Sequence, residues 1–205
     1  VEEWTKNIGL HYIINTVLDE NMNLYRAVAG HYIHAHRKAV SYAQAVCGVS
    51  LKQRPDVVLA SAYPIDIDFW QCGKAAYGPT RVIAKGGEFL LLAACTEGVG
   101  PHPQILDYMA LENGTEVLSH RIASQNTGED LLTMAVGVSM GRVVRHSNVT
   151  LVTDGLLPED CRRGQMSHCS PANLQQALQQ ALERFEDPFL LIIGEGGEVI
   201  PLLED

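Results

Sequence analysis

From Asp56 onward, short apolar runs rich in β-branched residues alternate with longer stretches of helical periodicity, and this alternation constrains the fold more than any other feature of the chain. The reading is strand 56–60, helix 68–77, strand Phe89–Ala94 and helix Pro103–Glu112. Helix Asp130–His146, strand Val149–Thr153, helix Pro171–Phe185 and strand Pro188–Ile193 follow. Such an order builds a mostly parallel sheet whose right-handed crossovers set helices on both faces. The helix from Pro171 is the best marked: Ser170 stands at its cap, proline opens it, and Leu174, Leu178 and Leu182 repeat at spacing four. GEGGEV, residues 194–199, reads as a turn before a short final strand ending at Leu203.

The first strand, DVVLA, is bounded by Pro55 and Pro64 and reads as buried on both faces. Asp68 then has the chemistry of a helix N-cap, its carboxylate accepting from the free N–H groups of the first turn. Gln71 and Lys74 fall one turn apart, so both side chains leave one face close to the positive helix end. An ammonium, an amide that donates and accepts, and a helix N-terminus together suit a carboxylate or phosphate. A purely structural account of the same residues is a capping box, Asp68 with Gln71, and a solvated lysine.

The segment ACTEGVGPHP, 94–103, leaves a strand at its C-terminal end, where open α/β sheets bind ligands, so Glu97 and His102 join Asp68 as residues that could line a cleft. The glycines there are equally suited to a constrained turn. No GxGxxG follows a strand; the first strand runs into SAYPID, with no glycine to let a pyrophosphate approach. GHYIHAHR gathers His31, His34 and His36, but His36 points off the face shared by the other two and no carboxylate or cysteine completes a metal set. Cys161, His168 and Cys169 are likewise too few for a closed zinc site.

With 46% hydrophobic and 19% charged residues the chain has the composition of a compact protein rather than a disordered one. A formal charge of −9 argues against nonspecific nucleic-acid binding. The longest apolar runs, PFLLIIG and EFLLLAAC, are too short to span a bilayer, and the given sequence does not open on a charged n-region followed by an apolar h-region. Five cysteines without a CxxC pair read as reduced thiols, and the expectation is a cytoplasmic protein without a membrane partner.

Before the alternation, His11–Leu18 and Asn23–Val28 read as hairpin strands around a polar loop, with Gly30 ending the second strand and a helix over Tyr32–Val46. A hairpin and one helix cannot bury their own apolar faces, so this segment should pack on something else. The glycine, serine and proline between Cys47 and Pro55 make that stretch the expected hinge, and a first residue that is not methionine suggests a fragment.

YPIDIDFWQCGKA, GEFLLLAACTEGVGPHP and VAGHYIHAHRKAV, in expected order over most of the chain, resemble the nickel-dependent lactate racemase family, and in particular its C-terminal portion. The resemblance implies a two-lobed 2-hydroxy acid racemase or epimerase with its site in the cleft. Residues 1–48 would be the tail of the N-terminal catalytic lobe. Residues 49–205 would be the Rossmann-like, substrate-binding C-terminal α/β lobe, its last residues returning to the first lobe. In this family a nickel pincer nucleotide is tethered to a lysine of the first lobe. By the resemblance, Gln71 and Lys74 contact the substrate, and Trp70 lies beside cofactor or substrate. The cofactor lysine, the nickel-binding histidine and the pair of catalytic histidines belong before Val1, so this chain holds no catalytic residue and no metal ligand and alone would be inactive. Its partners would be the N-terminal lobe and a small 2-hydroxy acid. The other reading is a noncatalytic small-carboxylate-binding or interaction domain. No tryptophan follows Trp70, so an aromatic found later in some members has no counterpart.

Overall fold

The computed structural model describes residues 2–124 and 130–204, which form two compact units, Val1–Val49 and Ser50–Asp205. In the first unit a short helix, α1 (Glu2–Asn7), precedes the antiparallel hairpin of β1 (Tyr12–Leu18) and β2 (Leu24–His31), which leads into α2 (Tyr32–Cys47). The polar loop closes as its composition suggests: the Asp19 carboxylate accepts from the Asn21 and Asn23 N–H groups, both at 2.9 Å. The second strand does not end at Gly30. Gly30 tolerates a φ of 148° that keeps the chain in register, so β2 runs on to His31, opposite Tyr12. His31 then caps α2, its Nδ1 accepting from the Ile33 N–H at 3.4 Å. One face of α2 buries Tyr32, Ala35 and Ala39, while Tyr12, Ile14 and Leu24 of the hairpin stay exposed.

The supposed hinge is partly regular: Gly48–Leu51 is a strand, β3, whose Leu51 carbonyl accepts the Glu204 N–H beside the last strand. The second unit is then β4 (Val57–Ser61), α3 (Phe69–Cys72), α4 (Lys74–Val82), β5 (Glu88–Leu92), α5 (Ile105–Met109), α6 (Gly114–Ala123) and α7 (Leu131–His146). β6 (Asn148–Val152), α8 (Pro158–Arg163), β7 (Ser167–Cys169), α9 (Leu174–Leu182), β8 (Leu190–Ile193) and β9 (Ile200–Leu203) complete it. Five strands pair in parallel in the order β7-β6-β5-β4-β8. One sheet face sets Val58, Ala60, Phe89, Leu91 and Leu151 against Phe69, Ala75, Ile105, Met109 and Met140 of the helices. The other sets Val57, Leu90 and Val152 against Ala181, with Leu174, Leu178 and Leu182 packed around, so the spacing-four leucines do face the sheet. Helices thus cover both faces, as the alternation requires.

Further boundaries differ from the sequence reading. The helix expected over 68–77 is two pieces that meet at Gly73, and the second continues past Pro79 to Val82. The helix expected over Pro103–Glu112 is one turn, Ile105–Met109, because Pro103 precedes it and Asn113 opens the next helix. Ser170, expected to cap the last helix, donates its hydroxyl to Asp154 at 2.8 Å instead, and a 3₁₀ turn over Pro171–Asn173 precedes α9. α6, α8 and β7 carry too little periodicity to be read from sequence; β7 is three residues long, and α6 buries only Gly114.

β4 lies between β5 and β8. Its own crossover packs on one face of the sheet, and α9, which leads into β8, packs on the other. The crevice beyond its C-terminal end is therefore the switch point at which such sheets bind ligands.

Candidate functional site

Three loops leave the C-terminal strand ends and interlock. Asp66 accepts the Ala94 N–H on its carboxylate at 3.0 Å and the Cys95 N–H on its carbonyl at 2.7 Å, and the Glu97 N–H donates to Ile67 at 2.8 Å. The Thr153 hydroxyl, beyond β6, donates to the Ala94 carbonyl at 3.1 Å. Gly155 packs so closely on this loop that a Cβ there would sit 2.1 Å from the Cys95 carbonyl oxygen.

This loop cluster seats the start of α3. The Phe69 N–H donates to Gly98 at 2.9 Å, the Trp70 N–H to Val99 at 3.3 Å and the Gln71 N–H to the Asp68 carboxylate at 2.7 Å. The end of α3 is therefore closed by the protein itself and offers a ligand none of these N–H groups, contrary to the expectation that the helix terminus helps to bind an anion. Asp68 is the expected cap, but it is 5% exposed and pressed under Gly100, which needs its φ of 90° to pass so near. Its chemistry is that of a cap. Glu97 is exposed and ties the loop through its backbone.

Gln71 does not return its side chain to Asp68 as a capping box would. Its Oε1 accepts from Lys74 Nζ at 2.5 Å. Lys74 is exposed, and no carboxylate of the described residues pairs with it, so a full positive charge stands beside an amide whose NH₂ is left to donate outward. The two residues singled out from spacing do form one patch.

Trp70, on the same turn, is half-buried, and its ring lies against His102 with centroids 4.5 Å apart. His102 Nδ1 is 3.1 Å from the Asp130 carboxylate. Asp130 caps α7 by accepting from the Leu132 and Thr133 N–H groups, both at 3.1 Å, and from the Thr133 hydroxyl. Those bonds, the Thr133 hydroxyl first, hold the Asp130 carboxyl below the usual carboxylate range, and His102 adds to the effect. Sequence reasoning placed Asp130 only at a helix start; nothing in its neighbourhood signals His102.

Between α3–α4 and α5–α7 lies a cavity of about 130 Å³ walled by Phe69, Trp70, Tyr77, Ile105, Val136 and Met140, with Lys74 on its lining. Tyr77 was not singled out from sequence, although it stands one turn after Lys74 on the same face of α4. A larger hollow of about 320 Å³ lies between α9 and the β6–β7 edge, but its Arg184 is already paired with the buried Glu88 at 2.7 Å, and Asn148 also donates to Glu88 at 2.7 Å. The smaller cavity instead has the Lys74 ammonium, paired with no carboxylate of the described residues, on its lining.

Beneath the patch, the Cys72 and Cys95 sulfurs are 4.0 Å apart and fully buried. Hydrogen bonding to Cys95, then burial, pushes the Cys72 thiol well up. Cys161 is buried too and is pushed up to about 11, chiefly by desolvation.

A parallel α/β sheet with helices on both faces and a lysine-bearing helix beyond the C-terminal end of its first strand defines an α/β lobe of Rossmann-like class. A model of the lactate racemase C-terminal domain matches residues 51–200, and the chain belongs to that family. The lactate racemase apoprotein from Thermoanaerobacterium thermosaccharolyticum superposes with a TM-score of 0.74 at 21% identity, over 98% of this chain and 48% of that one. A protein from Thermotoga maritima superposes with a TM-score of 0.60 at 17% identity, over 94% of this chain and 49% of that one. At these identities the likeness is one of fold, and the chain spans about half the length of either structure. No curated protein matches the sequence.

Nickel is the metal that the family resemblance implies. Among the described residues no three His, Cys, Asp or Glu side chains stand together to hold a metal ion. The residues present do not fit that role. No helix among the described residues is long and apolar enough to cross a membrane.

Proposed function

We propose that this chain is the substrate-anchoring part of a 2-hydroxy acid racemase or epimerase, acting with an N-terminal lobe of the same protein. The observation that carries the reading is the Lys74 ammonium, held by the Gln71 amide oxygen and matched by no carboxylate of the described residues. Lys74 supplies charge and the Gln71 NH₂ a second donor, so a substrate carboxylate meets two fixed donors side by side. Neither group reacts with a hydroxy acid. They hold one end of the molecule while the configuration at C2 is remade, which is the positioning a racemase needs. The Trp70 ring offers a flat wall beside that patch. In this reading hydride abstraction and return at C2 and exchange of the hydroxyl proton fall to the N-terminal lobe, and the residues of this chain bind and orient the acid. A cytoplasmic setting belongs to the same reading and is supported by five free thiols.

The test is conversion of one enantiomer of lactate or a related acid by the protein at its natural length, followed by chiral chromatography in D₂O. Interconversion with protium kept at C2 is the expected result. Interconversion with deuterium at C2 would rule out hydride return, and tight carboxylate binding without turnover would favour the noncatalytic binding domain.

A further inference from the structure

We propose that the apolar cavity beside Lys74 receives the substituent on C2 of the substrate, so that the favoured substrates are monocarboxylic 2-hydroxy acids with a branched aliphatic or aryl side chain. The inference rests on the anchor reading of Lys74 and deepens it. Lys74 belongs at once to the anion patch with Gln71 and to the cavity lining, so a carboxylate on its ammonium has the cavity within a bond or two of C2. The walls are aromatic and aliphatic: Trp70 from α3, Tyr77 from α4, which also carries Lys74, Ile105 from α5, Val136 and Met140 from α7. Gly73 makes room for Met140, whose sulfur would lie 3.2 Å from a Cβ at that position.

Size decides the class. The cavity holds about 130 Å³. An apolar hole of about 150 Å³ accepts a benzene ring and stays dry without one. A methyl group, as on lactate, would leave most of this space unfilled, whereas an isobutyl or benzyl group would occupy it. Polarity decides the rest: a second carboxylate or a chain of hydroxyls would give up its water for apolar walls that return no hydrogen bonds. Trp70 is the wall held most deliberately, through its contact with His102 and the His102–Asp130 pair.

The experiment measures kcat/KM of the natural-length protein for single enantiomers of lactate, 2-hydroxy-4-methylpentanoate, 3-phenyl-2-hydroxypropanoate and malate. Each extra methylene in such a pocket is worth roughly tenfold or more, so the branched and aryl acids should exceed lactate by at least about tenfold, with malate poorest. In Val136→Phe, which fills the cavity, the ratio of aryl to lactate should collapse towards one. Equal use of all four acids, or a preference for malate, overturns the cavity assignment. If Lys74→Ala still lowers every rate in that case, the anchor reading stands without it. If Lys74→Ala lowers none, the anchor fails and the cavity assignment falls with it. Should V136F not fold, the wild-type series decides alone.

Discussion

The Trp70 indole and the His102 imidazole meet with centroids 4.5 Å apart and planes inclined at 45°, and the far side of His102 rests on Asp130. An aromatic pair in this geometry contributes about 0.5–1.5 kcal/mol, enough to fix a half-buried indole in one orientation. His102→Ala should loosen Trp70 without unfolding the sheet. The chain has two tryptophans, so the measurement needs Trp4→Phe as background. Time-resolved anisotropy of Trp70 should fall and its emission shift red, while kcat/KM drops by about two- to tenfold. His102→Phe keeps the ring contact and should recover most of both. Unchanged Trp70 emission in His102→Ala would show that the contact positions nothing.

Lys74→Ala should impair turnover far more than stability, since an exposed lysine at the start of α4 packs against little. One charge-assisted contact is worth about 1.5–3 kcal/mol, or roughly ten- to a hundredfold in kcat/KM. Gln71→Ala removes a neutral donor and should cost less. Steady-state kinetics beside a thermal melt separates the two effects. Near wild-type kinetics in Lys74→Ala would remove the substrate anchor from the proposal.

The meeting of Gln71 with Lys74 was legible in the sequence because the two need only one helical turn to touch, and a turn is local. Asp68 was legible as a cap for the same reason, and so were the leucines of α9. What spacing could not show is the closure of the helix end by Gly98 and Val99, each 29 residues beyond the N–H group it accepts from, which withdraws those groups from any ligand. Nor could it show that His102 and Asp130, with α5 and α6 between them in the chain, meet, or that Ile105, Val136 and Met140 share one cavity with Trp70. Those contacts follow from tertiary packing of α5 on α7, where Gly137 approaches so closely that a Cβ would lie 2.5 Å from that of Tyr108. The glycine itself is visible in the sequence, but its partner is not.

Acid should weaken the second unit through the Asp107–Arg163 pair, whose contacts on both carboxylate oxygens are 2.5 Å. The Arg163 hydrogen bonds hold the Asp107 carboxyl below its usual range. A carboxylate with a depressed folded pKa stabilises fully above its unfolded value, about 3.9, and that contribution is lost as pH falls through the lower folded value. Asp107 is 54% and Arg163 42% exposed, so solvent screening limits the pair to about 0.2–1 kcal/mol. Urea unfolding from pH 7 down to pH 3 should show wild type losing more stability than Asp107→Asn, the gap at neutral pH closing at the acid end. Parallel curves for the two proteins would mean that the pair contributes nothing measurable.

Gly155→Ala tests whether the loop cluster and the anchor are one mechanical unit. The added Cβ would lie 2.1 Å from the Cys95 carbonyl oxygen and 2.3 Å from that of Ala94, both backbone atoms that no rotamer change can move. The loop must shift, at about 1–3 kcal/mol by analogy with overpacked cores. Because the same loop presents Gly98 and Val99 to the N–H groups of Phe69 and Trp70, its displacement should carry the start of α3, and with it Gln71. A purely local strain would lower the melting temperature and leave the kinetics alone. The expected outcome is both a lower melting temperature and a raised KM for the hydroxy acid, with Gly98→Ala, whose φ of 65° also disfavours a side chain, acting in the same direction. A destabilised Gly155→Ala enzyme with wild-type KM would show that the anchor stands independently of the loop that seats it.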